Sequence, residues 1–499
     1  MNLGELLGAI AAGSSHPALE ADVTGISTNS QSCQPGDLFL GIPGSRVDGG
    51  EFWPGAIARG AIAALISPAA FSTVPPQGEA VFSSGDMAQA CAQITARFYG
   101  YPATKLKLVG VTGTNGKTTT THLIEFFLQH SCRATALLGT LYVRWHNHIE
   151  SAINTTPPAD QLHKKLAAAV AAGTTHAVME VSSHALVQGR VLGCPFDVAV
   201  FTNLTQDHLD FHINMENYFQ AKAMLFGEEY LRGRAIVNLD DPYSLRLAKG
   251  IPPGQVWTYS LENPQAAIYP SNLHYTAHGV TGKLHTPMGA IAFHSPLVGQ
   301  FNLQNLLGAV GASLCLGVDL SIIAEVLPDF PGIPGRMEQV EINSGQDIKV
   351  VVDYAHTPDG LEKFLTAIRM FTPGRLICVF GCRGDRDRTK RPIMGEIATR
   401  LAELVVLTSD SPRAEDPEQI IRDILAGVAP QVCPLVEKDR AKAIHLAIAQ
   451  AQPGDTVVIT GRGHEGYQTL GQKNIPFDDR EQARLALQKR YLVGAGPVC

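Results

Sequence analysis

From about residue 100 the chain alternates short apolar runs with helix-like stretches, the pattern of parallel strands joined by crossover helices. The runs Leu106 to Val111, Ala177 to Val181, Val198 to Thr202 and Ala235 to Asn238 predict one set of strands. Lys349 to Asp353, Leu376 to Phe380, Leu404 to Thr408 and Thr456 to Thr460 predict a second. Between the sets lies Pro328-Asp-Phe-Pro331-Gly-Ile-Pro334-Gly335, which cannot sustain a helix, because each proline lacks an amide donor and restricts its predecessor. A domain boundary is expected there. A weaker one is expected at Tyr99 to Thr104, where Gly100 and Pro102 precede the next strand. The expected division is residues 1–100, 101–332 and 333–499, all α/β, with Gly36 to Gly41 supplying a strand to the small first part. No repeat or low-complexity segment interrupts the pattern.

Length agrees with that division, since 499 residues at roughly 150 per domain make about three. A formal net charge of -7 and a pI near 6.2 argue against a nucleic-acid partner, whose domains are strongly basic. The apolar segment Met1 to Gly13 has no positive leader, so it does not read as a secretory signal. No run approaches the roughly 18 apolar residues of a membrane span. Nine scattered cysteines, with Cys378 and Cys382 the closest pair, lack structural-zinc spacing and predict reduced, mostly buried thiols in a cytoplasmic protein.

In open parallel sheets ligands bind beyond the carboxyl ends of the strands, and here those ends are unusually polar. The first central strand runs into Thr112-Gly113-Thr114-Asn115-Gly116-Lys117-Thr118-Thr119 and then an apolar helix through Leu123, Ile124, Phe127 and Leu128. This is a phosphate-binding loop: glycines let backbone amides face phosphates, Lys117 supplies a point charge, and Thr118 can ligate magnesium. Val111 stands where the strict pattern has its first glycine. The next strand ends in Glu180-Val-Ser182-Ser183-His184 and the following one in Asn203-Leu-Thr-Gln-Asp207-His208, placing Glu180 and His208 as candidate magnesium ligands. Lys222, within Gln220-Ala-Lys-Ala-Met-Leu-Phe226, reads from the residues alone as an ordinary exposed helical lysine.

Four strands of the last third end in charged motifs: Asp353-Tyr-Ala-His356-Thr-Pro358, Gly384-Asp385-Arg386-Asp387-Arg388, Asp410-Ser-Pro-Arg413 and Gly461-Arg-Gly463-His464-Glu465. Arginines that pair a carboxylate and acids that receive an ammonium suit a small zwitterion. A phosphate-binding part and a zwitterion-binding part together suggest that ATP activates an acid for attack by an amine.

These motifs, with Gly299-Gln-Phe-Asn302-Leu-Gln-Asn305 and Pro334-Gly-Arg336-Met-Glu338, resemble the Mur ligases through the central and C-terminal parts. Ile26-Ser-Thr-Asn-Ser30, Gly36-Asp-Leu-Phe39, Thr155-Thr156-Pro157 and Gln188-Gly-Arg190 extend the likeness to nearly the whole chain, and to the family's diamino-acid-adding members. The resemblance implies a P-loop central domain and a Rossmann-like C-terminal domain. It implies that Ser30, Thr155, Thr156, Ser182, Gln188 and Arg190 hold a UDP-muramoyl dipeptide. Gly113, Thr114, Asn115, Gly116, Lys117, Thr118 and Thr119 would cradle the ATP phosphates, and Asn305, Arg336 and Asp353 would contact the rest of the nucleotide. Lys222 matches a lysine that is carbamylated in the family, which would make it a ligand for a second magnesium with Glu180 and His208, alongside Thr118. Lys117, Lys222, Glu180 and His208 are thus the implied catalytic set, in a monomer whose C-terminal domain closes over the central one.

Two positions depart from the family pattern. Asn29-Ser30-Gln31 stands for the usual Asp-Ser-Arg, leaving the uridine contact to Ser30, and Asp410-Ser411-Pro412-Arg413 stands for Asp-Asn-Pro-Arg. Arg413 suits the distal carboxylate of meso-diaminopimelate, which L-lysine lacks, so diaminopimelate is the expected amine, with Arg386, Gly461 and Glu465 completing its pocket. Folylpolyglutamate synthase shares the ligase core but would not be expected to have the N-terminal part or Asp410-Ser-Pro-Arg413. A GTPase would need Asn-Lys-x-Asp, and the nearest stretch, Asn238-Leu-Asp-Asp241, lacks the lysine.

Overall fold

The computed structural model describes residues 1–11, 14–44, 47–342 and 345–494. They form two compact units: Met1–Thr112 with Ser131–Val200 and Ala221–Ala235, and Gly113–His130 with Phe201–Gln220 and the chain from Ile236 onward.

The first unit opens with a four-stranded parallel sheet of Gly25–Ser27, Asp37–Leu40, Ala63–Ile66 and Val81–Ser83, in chain order. Side chains alternate across a strand. Leu38 and Leu40 therefore pack with Leu3, Leu6, Met87 and Ile94 on one face, and Phe39 packs with Trp53, Ile66 and Ala70 on the other. The larger sheet of this unit has, as neighbours in order, Leu231–Asn238, Phe196–Phe201, Lys107–Thr112, His176–Glu180, Thr135–Leu138, Tyr142–Trp145 and His148–Ser151. Lys107–Thr112 and Thr135–Leu138 each run parallel to His176–Glu180, whereas the last two strands form an antiparallel hairpin turning at His146 and Asn147. All four strands expected in the middle of the chain are present, Leu231–Asn238 starting four residues before its apolar core.

The second unit carries the helix Lys117–His130, packed on the helix Gln300–Cys315, and a small antiparallel sheet of Tyr269–Thr276, Gly279–Thr286 and Gly289–Ser295. Its main sheet has six strands in the order Glu338–Gln339, Lys349–Asp353, Thr456–Thr460, Leu376–Phe380, Leu404–Leu407 and Leu435–Val436, parallel except for the first. Parallel strands buried on both faces read as continuous apolar runs, because alternate residues enter different cores. Val351, Cys378, Phe380, Leu407 and Val458 face the helices Pro358–Arg369, Lys390–Leu401 and Pro417–Leu425. Val350, Val352, Ile377, Val379, Val457 and Ile459 face Arg440–Gln450 and Asp479–Gly494.

Of the eight described cysteines five are buried and Cys132 and Cys433 are exposed; Cys499 lies outside the described residues. No helix among the described residues is long and apolar enough to cross a membrane.

Three of the largest fully buried side chains are arginines: Arg391, Arg440 and Arg462. Arg440 donates to both Asp479 oxygens at 2.7 Å and to Thr460 O at 2.9 Å, tying two helices to the end of a central strand. Removing one partner of such a pair leaves a buried uncompensated charge. Arg440→Met is expected to cost about 3–5 kcal/mol in a urea unfolding curve, and adding Asp479→Leu should recover most of that loss.

Candidate active site

Lys107–Thr112 ends at the phosphate loop, and the following helix starts at Lys117. The loop has no room for side chains at its glycines: a Cβ on Gly113 (φ 148°) would lie 1.8 Å from Thr202 Oγ1, and one on Gly116 (φ 87°) 2.1 Å from Asn305 Oδ1. Val111 is fully buried inside the strand, so the strand continues where the strict motif would turn. The neighbouring Asn203 fixes the loop instead, its carbonyl accepting from Thr114 N at 2.9 Å and its Oδ1 from Asn115 N at 3.0 Å. Lys117 Nζ donates to the carbonyls of Gly113 and Thr114, both at 2.9 Å.

Residues far along the chain close on this loop. Arg336 Nη2 donates to Thr118 Oγ1 at 3.2 Å, and its guanidinium lies 4.2 Å from the Tyr354 ring centroid. Asp353 accepts from Met337 N at 2.8 Å and Ala355 N at 2.7 Å; burial raises its pKa against the opposing pull of Arg336. Asn115 Nδ2 donates to Asp359 Oδ2 at 2.9 Å. Gly113, Thr114, Asn115, Gly116, Lys117, Thr118, Asn305, Arg336 and Asp353 thus lie on connected pieces of one unit, and Thr119 is buried in the first turn of the helix. Asp359 is an addition that the sequence did not single out.

His208 adopts a left-handed backbone (φ 55°) that presents its amide to Asp207 Oδ1 at 2.9 Å. Asp207 also sits 3.2 Å from Lys390 Nζ and 3.7 Å from His356 Nε2. Burial alone would raise the Asp207 pKa, but Lys390, with His208 and His356, holds it below the ordinary carboxylate value. Lys390 also escaped the sequence motifs, being the first residue of a helix rather than the last of a strand.

In the other unit, Glu180 ends its strand 1% exposed, accepting from Thr140 N at 2.7 Å and Thr140 Oγ1 at 2.9 Å. Thr140 Oγ1 lies 3.1 Å from Thr155 Oγ1, from which it can accept, and Thr156 Oγ1 donates to Glu180 O at 2.8 Å while accepting from Ser182 N at 3.0 Å. Arg190 donates to Thr156 O at 2.7 Å and to Gln188 Oε1 at 2.9 Å. One network therefore joins Glu180, Thr155, Thr156, Ser182, Gln188 and Arg190. Thr140 was missed because its strand, Thr135–Leu138, was not expected. Ser30 lies on the small parallel sheet's first loop, and the adjoining Asn29 Oδ1 accepts from Gln31 N at 3.0 Å.

Lys222 corrects the expectation from residue type: it is 1% exposed, not an exposed helical lysine. Burying an ammonium costs far more than burying a neutral group. Among the described residues no three His, Cys, Asp or Glu side chains group closely enough to hold a metal. Of the expected metal ligands in this unit only Glu180 is of those types, and a buried amine that becomes a carbamate would supply an oxygen donor.

The last expected pocket lies at the C-terminal sheet edge. Asp410 Oδ1 accepts from Arg462 Nη1 at 3.2 Å, and the same nitrogen donates to Ser411 Oγ at 2.9 Å. Ser411 Oγ also accepts from Thr469 N at 3.2 Å, so its hydroxyl is engaged by the scaffold. Burial opposes ionisation of Asp410, but Arg383, Arg462 and Arg440 hold its pKa down. Gly461 (φ 109°) runs close beside it, a Cβ there lying 3.1 Å from Asp410 Oδ2. Glu465 accepts from Arg383 Nη2 at 2.7 Å and from Tyr354 OH at 3.3 Å. Pro412 sets the approach of the next loop, because a Cβ on Gly384 would lie 1.8 Å from Pro412 O. Arg413 takes a left-handed backbone (φ 54°) held by Thr469 O. Neither Arg386 nor Arg413 has an acid partner at ion-pair distance among the described residues. Partial burial, then the charge of Arg413, lowers the Arg386 pKa.

A glycine-lined phosphate loop and a second parallel sheet whose strand ends carry paired acids and arginines outside any ion pair are the features expected of a nucleotide-dependent ligase. Three family models match: Mur ligase family, catalytic domain, over residues 22–99; Mur ligase middle domain over 111–313; and Mur ligase, glutamate ligase domain, over 335–463. The chain belongs to the Mur ligase family, whose members are ATP-dependent ligases. It is 61% identical over 493 residues to the UDP-N-acetylmuramoyl-L-alanyl-D-glutamate–2,6-diaminopimelate ligase of Trichormus variabilis, covering 98% of this chain and 99% of that one. The enzyme of the same name from Gloeobacter violaceus is 58% identical over 474 residues, 94% of this chain and 95% of that one. Among solved structures, one of a ligase of this name superposes with a TM-score of 0.68 at 34% identity, covering 98% and 99% of the two chains. Mycobacterium tuberculosis folylpolyglutamate synthase, solved with ADP and AMPPCP, shares the fold at TM-score 0.61 and 17% identity, over 82% of this chain and 96% of that one.

The Asp207 cluster yields an expected outcome. Lys390→Met should lower kcat/KM at least about tenfold and move the acid limb of its pH profile upward, because burial then governs Asp207 and it keeps its proton to higher pH. A pH–rate profile of the variant against the wild type checks both.

Proposed function

We propose that the protein joins meso-2,6-diaminopimelate to UDP-N-acetylmuramoyl-L-alanyl-D-glutamate at the expense of ATP, in cytoplasmic synthesis of the peptidoglycan precursor. The observation that carries this is the pair Arg386 and Arg413, two guanidiniums outside any ion pair among the described residues, on loops that follow strands of the same sheet as the acids Asp410 and Glu465. A carboxylate and an ammonium on one carbon match that arrangement, and L-lysine offers only the ammonium.

In this reading residues 1–100 and the network of Thr155, Thr156, Ser182, Gln188 and Arg190 hold the UDP-muramoyl dipeptide, Ser30 contributing from the first part. Residues 101–332 bind ATP through Gly113 to Thr119 and Asn305, with Arg336 and Asp353 reaching the nucleotide from the part spanning 333–499. The substrate's D-glutamyl carboxylate attacks the γ-phosphorus, a P–O bond to ADP breaks, and an acyl phosphate forms. Lys117 stabilises the charge on the transferring phosphoryl group, since positioning and electrostatics dominate catalysis of that step. Magnesium ions, held by Thr118, Glu180, His208 and Lys222 as its carbamate, would add positive charge against the phosphates. The neutral amine of diaminopimelate then attacks the acyl carbon; phosphate leaves and a proton is lost to solvent as the amide forms. Asp410, Glu465, Arg386 and Arg413 fix the distal zwitterion, with Ser411, Pro412 and Gly461 shaping the pocket, so that the reacting amine is the free end. The protein acts as a monomer, with neither nucleic acid nor membrane as partner.

ADP release should be measured with the UDP-dipeptide, ATP and magnesium, comparing meso-diaminopimelate with L-lysine. A kcat/KM for diaminopimelate far above that for L-lysine is expected. In Arg413→Ala, kcat/KM for diaminopimelate should fall about 10- to 100-fold, the worth of one or two charge-assisted hydrogen bonds. A wild-type preference for lysine would overturn the assignment.

A further inference from the structure

Arg383 is a cation that the motifs do not account for. It follows the strand Leu376–Phe380, one residue before Gly384-Asp385-Arg386. In the pocket, Arg462 Nη1 pairs with Asp410 Oδ1 at 3.2 Å and reaches Glu465 Oε2 only at 3.8 Å, which leaves Glu465 the less committed acceptor for an incoming ammonium. Arg383 Nη2 occupies Glu465 Oε1 at 2.7 Å, and its Nε lies 3.5 Å from Asp410 Oδ2. That Nε and that Oδ2 are both buried without a hydrogen-bond partner. Nη2 also reaches Gly461 O at 3.3 Å, and the guanidinium lies 5.4 Å from the Tyr354 ring centroid. The backbone beneath is fixed, since Arg391 Nη2 donates to Arg383 O at 3.2 Å and Gly384 N to Ser411 O at 3.0 Å. The nearby acids Glu415 and Asp423 are taken by Arg391 and Arg388, and Asp479 by Arg440.

An ammonium entering beside Glu465 therefore meets a carboxylate that Arg383 has already neutralised, with Arg386 and Arg413 adding like charge. A substrate that carries a carboxylate on the same carbon supplies its own counter-charge to those two arginines. One that carries a bare ammonium does not. We propose that Arg383 is a specificity-determining residue that acts through Glu465, excluding amino acids whose far end is an unaccompanied ammonium. This selection by repulsion is separate from the attraction exerted by Arg413. It rests on the diaminopimelate reading of the pocket.

The test compares kcat/KM for meso-diaminopimelate and for L-lysine in the full-length wild type, Arg383→Met and Arg383→Lys, with the UDP-dipeptide and ATP saturating. Arg383→Met is expected to lower the diaminopimelate-to-lysine ratio at least about tenfold, mainly through a lower KM for lysine, with KM for ATP unchanged. Arg383→Lys, which keeps the charge, should hold the ratio near the wild-type value. Arg383→Gln gives the same readout should the methionine variant fail to fold. A ratio unmoved in the neutral variants, or one that falls equally in Arg383→Lys, overturns the proposal while leaving the pocket reading intact. A wild type with no turnover on diaminopimelate overturns both.

Discussion

The C-terminal sheet edge depends on neutralising cations that the fold has buried. Arg391, Arg440 and Arg462 are each 0–1% exposed, and none could remain there as an unpaired charge. Arg440 takes Asp479, Arg391 takes Glu415 and Asp423, and Arg462 takes Asp410. Arg440–Asp479 and Arg391–Asp423 tie helix to helix, while Arg391–Glu415 and Arg462–Asp410 tie loops into the same framework, so the charge balance and the loop geometry are one constraint. Beyond them Arg386 and Arg413 are left unbalanced. Guanidiniums outside any ion pair keep most of their attraction for a ligand, although Asp210 and Asp207 act on Arg386 from a distance.

The phosphate loop is shaped by contact with backbone and amide groups. Thr202 and Asn305 approach Gly113 and Gly116 so closely that only glycine fits, and Asn203 anchors the amides that follow. Close approach explains why an incomplete Walker pattern still builds a loop. Val111 continues the strand by one residue, and the turn is fixed from the neighbouring strand's end.

Sequence patterning located the buried parallel strands almost residue for residue, Lys349–Asp353, Leu376–Phe380 and Thr456–Thr460 among them, because strands covered on both faces are continuously apolar. It did not locate Tyr142–Trp145, His148–Ser151 or the three strands between Tyr269 and Ser295, which are half-exposed and rich in polar residues. The site followed the same rule. Residues immediately after an expected strand were found, whereas Thr140 followed an unexpected one and Lys390 and Asp359 lie in the first turns of helices. Lys222 shows a different limit. Burial of a helical lysine depends on which face the tertiary structure covers, and residue type alone points the wrong way.

Arg383 belongs to neither kind of omission, since it lies at a strand end and beside a motif that was noticed. What hid it is that its role depends on a partner 82 residues away, Glu465, brought together only by the parallel order of the central strands. An arginine in a loop signals anion binding when viewed alone. Set against an acid that is itself expected to bind an ammonium, the same arginine competes with the ligand's positive charge. A pocket for a zwitterion therefore needs its charges counted in pairs, because the cations that attract a carboxylate and the one that occupies the ammonium's acceptor act on selectivity by different routes.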